Sequence, residues 1–565
     1  MKVPLGRRIA IVAAVAAVGL AAVGCQQQGG STGPGTAASS AAAQLPSTAW
    51  ARADYAQVKD GGQLTLQISQ LPDNWNSDQA DGALFDLTSV RDPQGYNHAV
   101  VASEDGTISF NPDYIVSAEL TSKDPQIVTV KFNPKAVWQD GTPITINDLK
   151  AEVAANSGDN PAFQVASTLG WSDIKEVRQT TDQFTGEIEF KSIYVDWQPF
   201  VYPSIPASIS SDPEAFNKGY VDKPTPSEGP YMVSNVDTNG QVITLTRNPK
   251  WWGQKGKLDT IIFKVVTQAQ SAQAFANGEV DAMQVANGNE YATAKGRADA
   301  QLQKTNGLTW THVTLNTTRG ALGDAKVRQA IGLAINRELI GQAVVGPFEV
   351  PVSLVNNAVF MPGQKGYQDS YNGAMDKQDP AKAEQLLKDD GYTKGSDGVY
   401  AKDGQSLAFS ITVPADTKSN IDRATQIQKD LNAIGFKVDL QTVPSDQYFK
   451  TYVSPKNFDM VTFSWVGTLF PIQSAANLFS PVDSEQNYTG YANPKVADLN
   501  KQANSEFDPA KRIDLADQMS EAMLSDYTII PFYATPNVYA VKKGLANYGA
   551  SQFETIDWTK VGWTA

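Results

Sequence analysis

Cysteine and histidine are almost missing from this sequence. The 565 residues hold one cysteine, Cys25, and two histidines, His98 and His312. Beyond residue 25 a cysteine–histidine nucleophile pair and a thiolate metal site are excluded, and a serine triad would have to draw on one of only two imidazoles. No G-x-S-x-G, P-loop or H-E-x-x-H motif occurs. Spacing alone picks out no carboxylate pair among the 60 acids. After the amino end no apolar run is long enough to span a bilayer, and no period of 20 to 50 residues repeats. Positive charge is also short: the formal net charge is −14 at pH 7. Such a chain repels phosphate backbones, which argues against nucleic acid as a partner.

What is present begins with a leader. Lys2, Arg7 and Arg8 precede an apolar stretch over residues 9–23, the n-region and h-region of a secretory signal. It ends in Ala22-Val23-Gly24-Cys25, which resembles the lipobox of bacterial lipoproteins. Ala22 departs from the usual Leu, and an ordinary signal peptide cut near an A-x-A site is the alternative. Lipidation of Cys25 is the expectation, because a thiolate is the nucleophile that thioether formation needs and a secreted chain seldom keeps one unused cysteine. Arg7-Arg8 leaves twin-arginine export open beside the general route. Residues 26–49 carry no charge and almost no large apolar side chain, so they cannot offset the entropy of ordering and read as a tether. The expected order is a signal over 1–24, a lipid-anchored tether over 25–54 and folded structure from there on.

The folded part mixes periods. Residues 64–68, 127–132 and 242–246 alternate as half-buried strands do. Residues 324–340 place Val327, Ile331, Ala334, Ile335 and Leu339 on one helical face. Asp379-Pro380 opens another helix over 380–388. Over 405–466 the pattern runs β-α-β-α-β, with strand-like residues 407–413, 436–440 and 458–466 around helices at 421–434 and 446–452. That is an open α/β sheet, in which ligands sit beyond the carboxyl ends of strands, here at Trp465 and the residues after it.

The run Val137-Trp138-Gln139-Asp140-Gly141-Thr142-Pro143 is followed in order by Gly229-Pro230-Tyr231, Arg247-Asn248-Pro249-Lys250-Trp251-Trp252, Asn277-Gly278-Glu279-Val280-Asp281 and Val327-Arg328-Gln329-Ala330 through Asn336-Arg337. This order resembles the extracytoplasmic solute-binding proteins of the oligopeptide/dipeptide class, family 5, lipoprotein components of ABC importers. The resemblance implies a two-lobe, type II periplasmic-binding-protein-like α/β fold with an additional domain and a hinged cleft. Its expected partition is 55–90, 228–315 and 535–565 in lobe 1, 91–227 in the additional domain and 316–534 in lobe 2. It implies a non-catalytic receptor on the outer face of the membrane, with no cofactor or metal. The expected partners are a peptide-like ligand and the permease subunits, and the chain is expected to act as a monomer.

In peptide-binding members an extended ligand pairs with the backbone corresponding to Ser464, Trp465, Val466, Gly467 and Thr468. Many carry an Asp where this chain has Thr468, and that acid holds the ligand's α-amino group. Its absence shifts the expectation towards blocked peptides or non-peptide solutes, unless Asp459 or Asp483 substitutes. The resemblance adds Trp75, Asn76, Arg423, Phe470 and Tyr491 as cleft candidates. A regulatory envelope lipoprotein that keeps the fold without capturing a solute is the alternative function.

Overall fold

The computed structural model describes residues 45–484 and 486–564. The signal, Cys25 and the tether as far as residue 44 lie outside them. The end of the expected tether is not a linker. Ala49 donates to the Ala550 carbonyl at 3.0 Å and Gln552 to that of Ser47 at 2.7 Å, and Thr48 and Trp50 are buried. These short polar residues find backbone partners contributed from some 500 positions away, which composition does not disclose.

Two α/β lobes and an additional domain each carry their own sheet. In lobe 1 the strand Gln63–Ile68 runs parallel to Thr260–Val265, which continues antiparallel through Val242–Arg247 to Tyr231–Asp237. Leu64, Leu66 and Ile68 point from alternate positions into a core with Phe263 and Trp558. A second lobe 1 sheet has Asn537–Lys542 between Ala282–Gln284 and Ala300–Thr305. The additional domain has an antiparallel sheet ordered Ile115–Lys123, Gln126–Phe132, Thr185–Phe190, Ile174–Gln179, covered by the helix Ile146–Asn156, which opens on a Thr145/Asp148 capping box. Trp251 and Trp252 lie half-buried against its Tyr114, at 5.6 and 5.7 Å between ring centres.

Lobe 2 holds a five-stranded sheet ordered Lys437–Val443, Ala408–Pro414, Met460–Val466, Thr309–Leu315, Ile529–Ala534. Its first two strands are parallel, joined by the helix Lys418–Ala433. Because Thr309–Leu315 pairs inside this sheet, the lobe boundary expected at 315 falls too late. The chain crosses near 306–308, and returns at 535–536. The helical pattern over 324–340 is likewise two helices, Ala325–Ala334 and Arg337–Val345. The Asn336 amide donates to Asp430 Oδ2 at 2.9 Å and its side chain caps the second helix. The new phase leaves Leu339 46% exposed.

The two crossing segments touch: Thr535 donates to the Thr309 carbonyl at 2.7 Å. A Cβ on Gly307 would lie 2.0 Å from the Thr535 carbonyl oxygen, a backbone atom that cannot turn aside. Gly307→Ala is expected to cost ~1–3 kcal/mol through overpacking and to weaken solute binding by misaligning the lobes. An unchanged denaturant midpoint together with unchanged binding would contradict this.

Candidate functional site

The strand Met460–Val466 is paired along its whole length with Thr309–Leu315 on one side. On the other, Ala408–Pro414 reaches only Met460 and Val461. Among the described residues, Ser464 to Val466 therefore present main-chain groups along an edge with no neighbouring strand, and unpaired edges of this kind accept an added strand. Gly467 ends the run by donating to the Leu308 carbonyl at 2.8 Å.

This strand end forms one wall of a cavity of about 810 Å³. Trp465, Val466, Gly467 and Thr468 line it with Trp310, which sits opposite Trp465 in the adjacent strand. The facing wall is the stretch 165–169 with Ser172, from the additional domain. Sequence reasoning missed that wall: a short Ser/Thr loop has neither period nor motif. None of the described lining residues is charged.

Trp465 is held by rings on several sides. It lies parallel to Tyr488 at 5.9 Å and to His312 at 6.1 Å, and edge-on to Phe463 at 5.1 Å. Its indole Nε1 is buried with no hydrogen-bond partner in the protein, a donor left for an incoming acceptor. Val466 is 73% exposed at the rim. Burial, and then the Arg423 guanidinium, push the His312 pKa down to about 3, so this ring is neutral at physiological pH.

Thr468 is occupied locally. Its hydroxyl accepts from the Phe470 amide at 3.2 Å and lies 3.4 Å from Ser474 Oγ. Asp459 does not stand in for the missing acid, because its Oδ2 accepts from the Ser410 amide and hydroxyl at 2.8 and 2.9 Å at the strand's other end. Asp483 does not line the cavity, and neither does Ser464, although Ser464 is exposed on the same strand.

Four expected cleft residues lie elsewhere. Trp75 is buried in the lobe 1 core, and its amide donates to the Tyr220 carbonyl at 2.8 Å. Asn76 is fully buried, with Nδ2 donating to the Phe216 carbonyl at 3.0 Å. Arg423 is buried behind the sheet, giving Nε to Thr462 Oγ1 and Nη2 to Asn420 Oδ1 at 2.5 and 2.6 Å. It braces the binding strand from within. Tyr491 follows Thr489, whose carbonyl accepts from Thr317 beyond the far end of Thr309–Leu315, so it sits at the wrong end of the sheet. Phe470 does face open space, in two smaller cavities of about 370 and 580 Å³ that continue around the same segment.

A pair no motif foretold ties the additional domain to lobe 2. Arg512 donates from both Nη atoms to the Asp196 carboxylate at 2.6 and 2.7 Å, nearly buried on both sides. Tyr194 adds its hydroxyl to Gln473 Oε1 at 2.6 Å. Forked pairs are the stronger kind of ion pair, and this one stands where the cavity walls meet. Arg512→Ala is expected to weaken solute affinity by about tenfold, the scale of one lost charged hydrogen-bond pair, with faster release. Equal release rates in the variant and the parent chain would contradict this.

Among the described residues, no group of three or more His, Cys, Asp and Glu is placed to hold a metal ion, and no helix is long and apolar enough to cross a membrane.

Residues 109–487 match the family described as bacterial extracellular solute-binding proteins, family 5 Middle. An oligopeptide-binding protein, OppA, of Mycobacterium tuberculosis is 34% identical over 90% of this chain and 86% of its own. A solved periplasmic EDTA-binding protein, EppA, superposes with a TM-score of 0.81 at 25% identity, covering 93% of this chain and 99% of that one. The oligopeptide-binding protein AppA from Bacillus subtilis, in complex with a nonapeptide, gives 0.71 at 20% identity over 90% of this chain and 100% of its own.

Proposed function

The chain belongs to the bacterial extracellular solute-binding proteins of family 5, and from that membership we propose that it is a lipid-anchored receptor capturing peptides or peptide-like solutes for an ABC importer. The observation that carries this reading is the unpaired edge at Ser464 to Val466, beside a cavity with no charged lining among the described residues. An extended ligand adds as a strand, so affinity comes from main-chain hydrogen bonds that every peptide offers. The apolar and hydroxyl walls accept varied side chains. Trp465 Nε1 gives an oriented donor. A multiply charged chelate such as the EDTA bound by EppA would find no counter-charge among the described residues of this cavity.

Cys25 carries the lipid and residues 26–44 keep the receptor near its permease at high effective concentration. No step of this function needs catalysis. Mass spectrometry of the solute released on denaturing the purified protein tests the reading: peptides or blocked peptides are expected. If a broad library of peptides and metabolites neither co-purifies with the protein nor shifts its melting, the reading fails.

The second reading is a regulatory envelope lipoprotein of the same fold, favoured by the locally satisfied Thr468 hydroxyl. Pull-down from membranes separates the two, with permease subunits expected for import and biosynthetic enzymes for regulation.

A further inference from the structure

Beside the segment that follows Thr468 lies an acid from elsewhere in the chain, Glu228, which lines a cavity together with Leu469 and Phe470. Leu469 and Phe470 line both smaller cavities, and Pro471 joins the 370 Å³ space to the 810 Å³ one. The three therefore follow one another around the binding segment. Among the described lining residues of the three, it is the 580 Å³ cavity that holds an acid with a bare oxygen. We propose that this cavity receives a cationic group of the ligand, an ammonium or guanidinium on an aliphatic stem, against the Glu228 carboxylate. The inference rests on the reading of the cleft as a peptide-binding site.

Glu228 is 2% exposed, lines the cavity, and its Oε2 has no hydrogen-bond partner. The Tyr202 hydroxyl in the same wall is also buried and unpartnered. A buried carboxylate oxygen without a donor costs free energy, so a site that leaves one bare is incomplete until a donor arrives. The other acids are spoken for. Asp92 has His98 Nε2 2.9 Å from Oδ1 and accepts from Trp558 Nε1 at 2.5 Å. Glu554 takes both Nη atoms of Arg52 at 2.8 and 2.6 Å.

The nearby cation does not fill the gap. Arg91 spends its Nη atoms on Ser77 Oγ and on the Ser204 carbonyl, and its guanidinium lies over the Tyr96 ring at 4.2 Å. It opposes the burial that raises the Glu228 carboxyl well above the usual range, without reversing it. No lysine or arginine lines the cavity among the described residues. Val100, Ile108, Pro199, Leu469, Phe470 and Ile556 add apolar surface to a wall that also carries the paired acids Asp92 and Glu554. Apolar surface beside one unpartnered acid suits a long stem ending in positive charge.

The test is calorimetric titration of the full chain with alanine pentapeptides that carry one lysine at each position in turn. Each is paired with its norleucine counterpart, and all are made with free and with acetylated amino ends. At one position lysine is expected to bind at least about tenfold tighter than norleucine, as a buried charged hydrogen bond does. Glu228→Gln is expected to remove that preference. If acetylation weakens binding and exchange of lysine for norleucine does not, the acid pairs with the free α-amine and the proposal of a stemmed cation is overturned. Peptides that bind with no preference for lysine or for a free amine, in the parent chain, overturn this inference and leave the peptide reading intact. No binding by any peptide overturns the reading on which it rests.

Discussion

Replacing Trp465 by alanine lowers solute affinity by about thirtyfold or more, the loss typical of an aromatic anchor in a desolvated pocket. The indole does two separable things. Its face, stacked on Tyr488 and His312, stiffens the end of the binding strand, and its buried Nε1–H has no partner in the protein, so it is the donor proposed for the ligand. Trp465→Phe keeps much of the ring and removes the donor, so it is expected to lose about tenfold, the worth of one buried hydrogen bond. Calorimetry on both variants with one solute measures the split. Alanine binding within twofold of the parent chain would remove Trp465 from the site.

Arg337→Ala is the largest stability loss expected. The guanidinium reaches the carbonyls of Val355 and Pro531 at 3.3 and 2.9 Å, Asn356 Oδ1 at 2.9 Å and the Met375 carbonyl. It is buried, and burial pulls its pKa down. Its partners are carbonyl and amide oxygens, so what it supplies is donors to loops that cannot pair with one another. Truncation orphans these acceptors and opens a hole, at a cost of ~3–5 kcal/mol. Arg337→Lys recovers only part, because one ammonium cannot reproduce a planar fork. Urea denaturation is the measurement. A loss below ~1 kcal/mol, the scale of an ordinary surface change, would contradict this role.

Local pattern made much of the fold legible, and distance in sequence hid the rest. Alternation identifies Gln63–Ile68, Gln126–Phe132 and Val242–Arg247 because each buries one face. Asp379-Pro380 marks a helix start because cap and first turn are written in adjacent residues. The break at Asn336 depends on Asp430, 94 residues away. The family resemblance puts Trp75 and Asn76 in the cleft, and nothing near them in sequence reveals Tyr220 and Phe216, their actual partners. In the site, the stretch Trp465 to Thr468 was expected from family resemblance, whereas the 165–172 wall and the Asp196–Arg512 clasp have no local signature. The clasp joins residues 316 positions apart.

In the proposed binding mode, solute is held as an added strand on the Ser464 to Val466 edge. A crystal structure of the chain with the solute that co-purifies with it tests this most directly. The predicted result is main-chain hydrogen bonds between an extended ligand and residues 464–466, with Trp465 Nε1 donating to it. A ligand seated elsewhere, or held by side chains alone with that edge still bare, would rule out this binding mode.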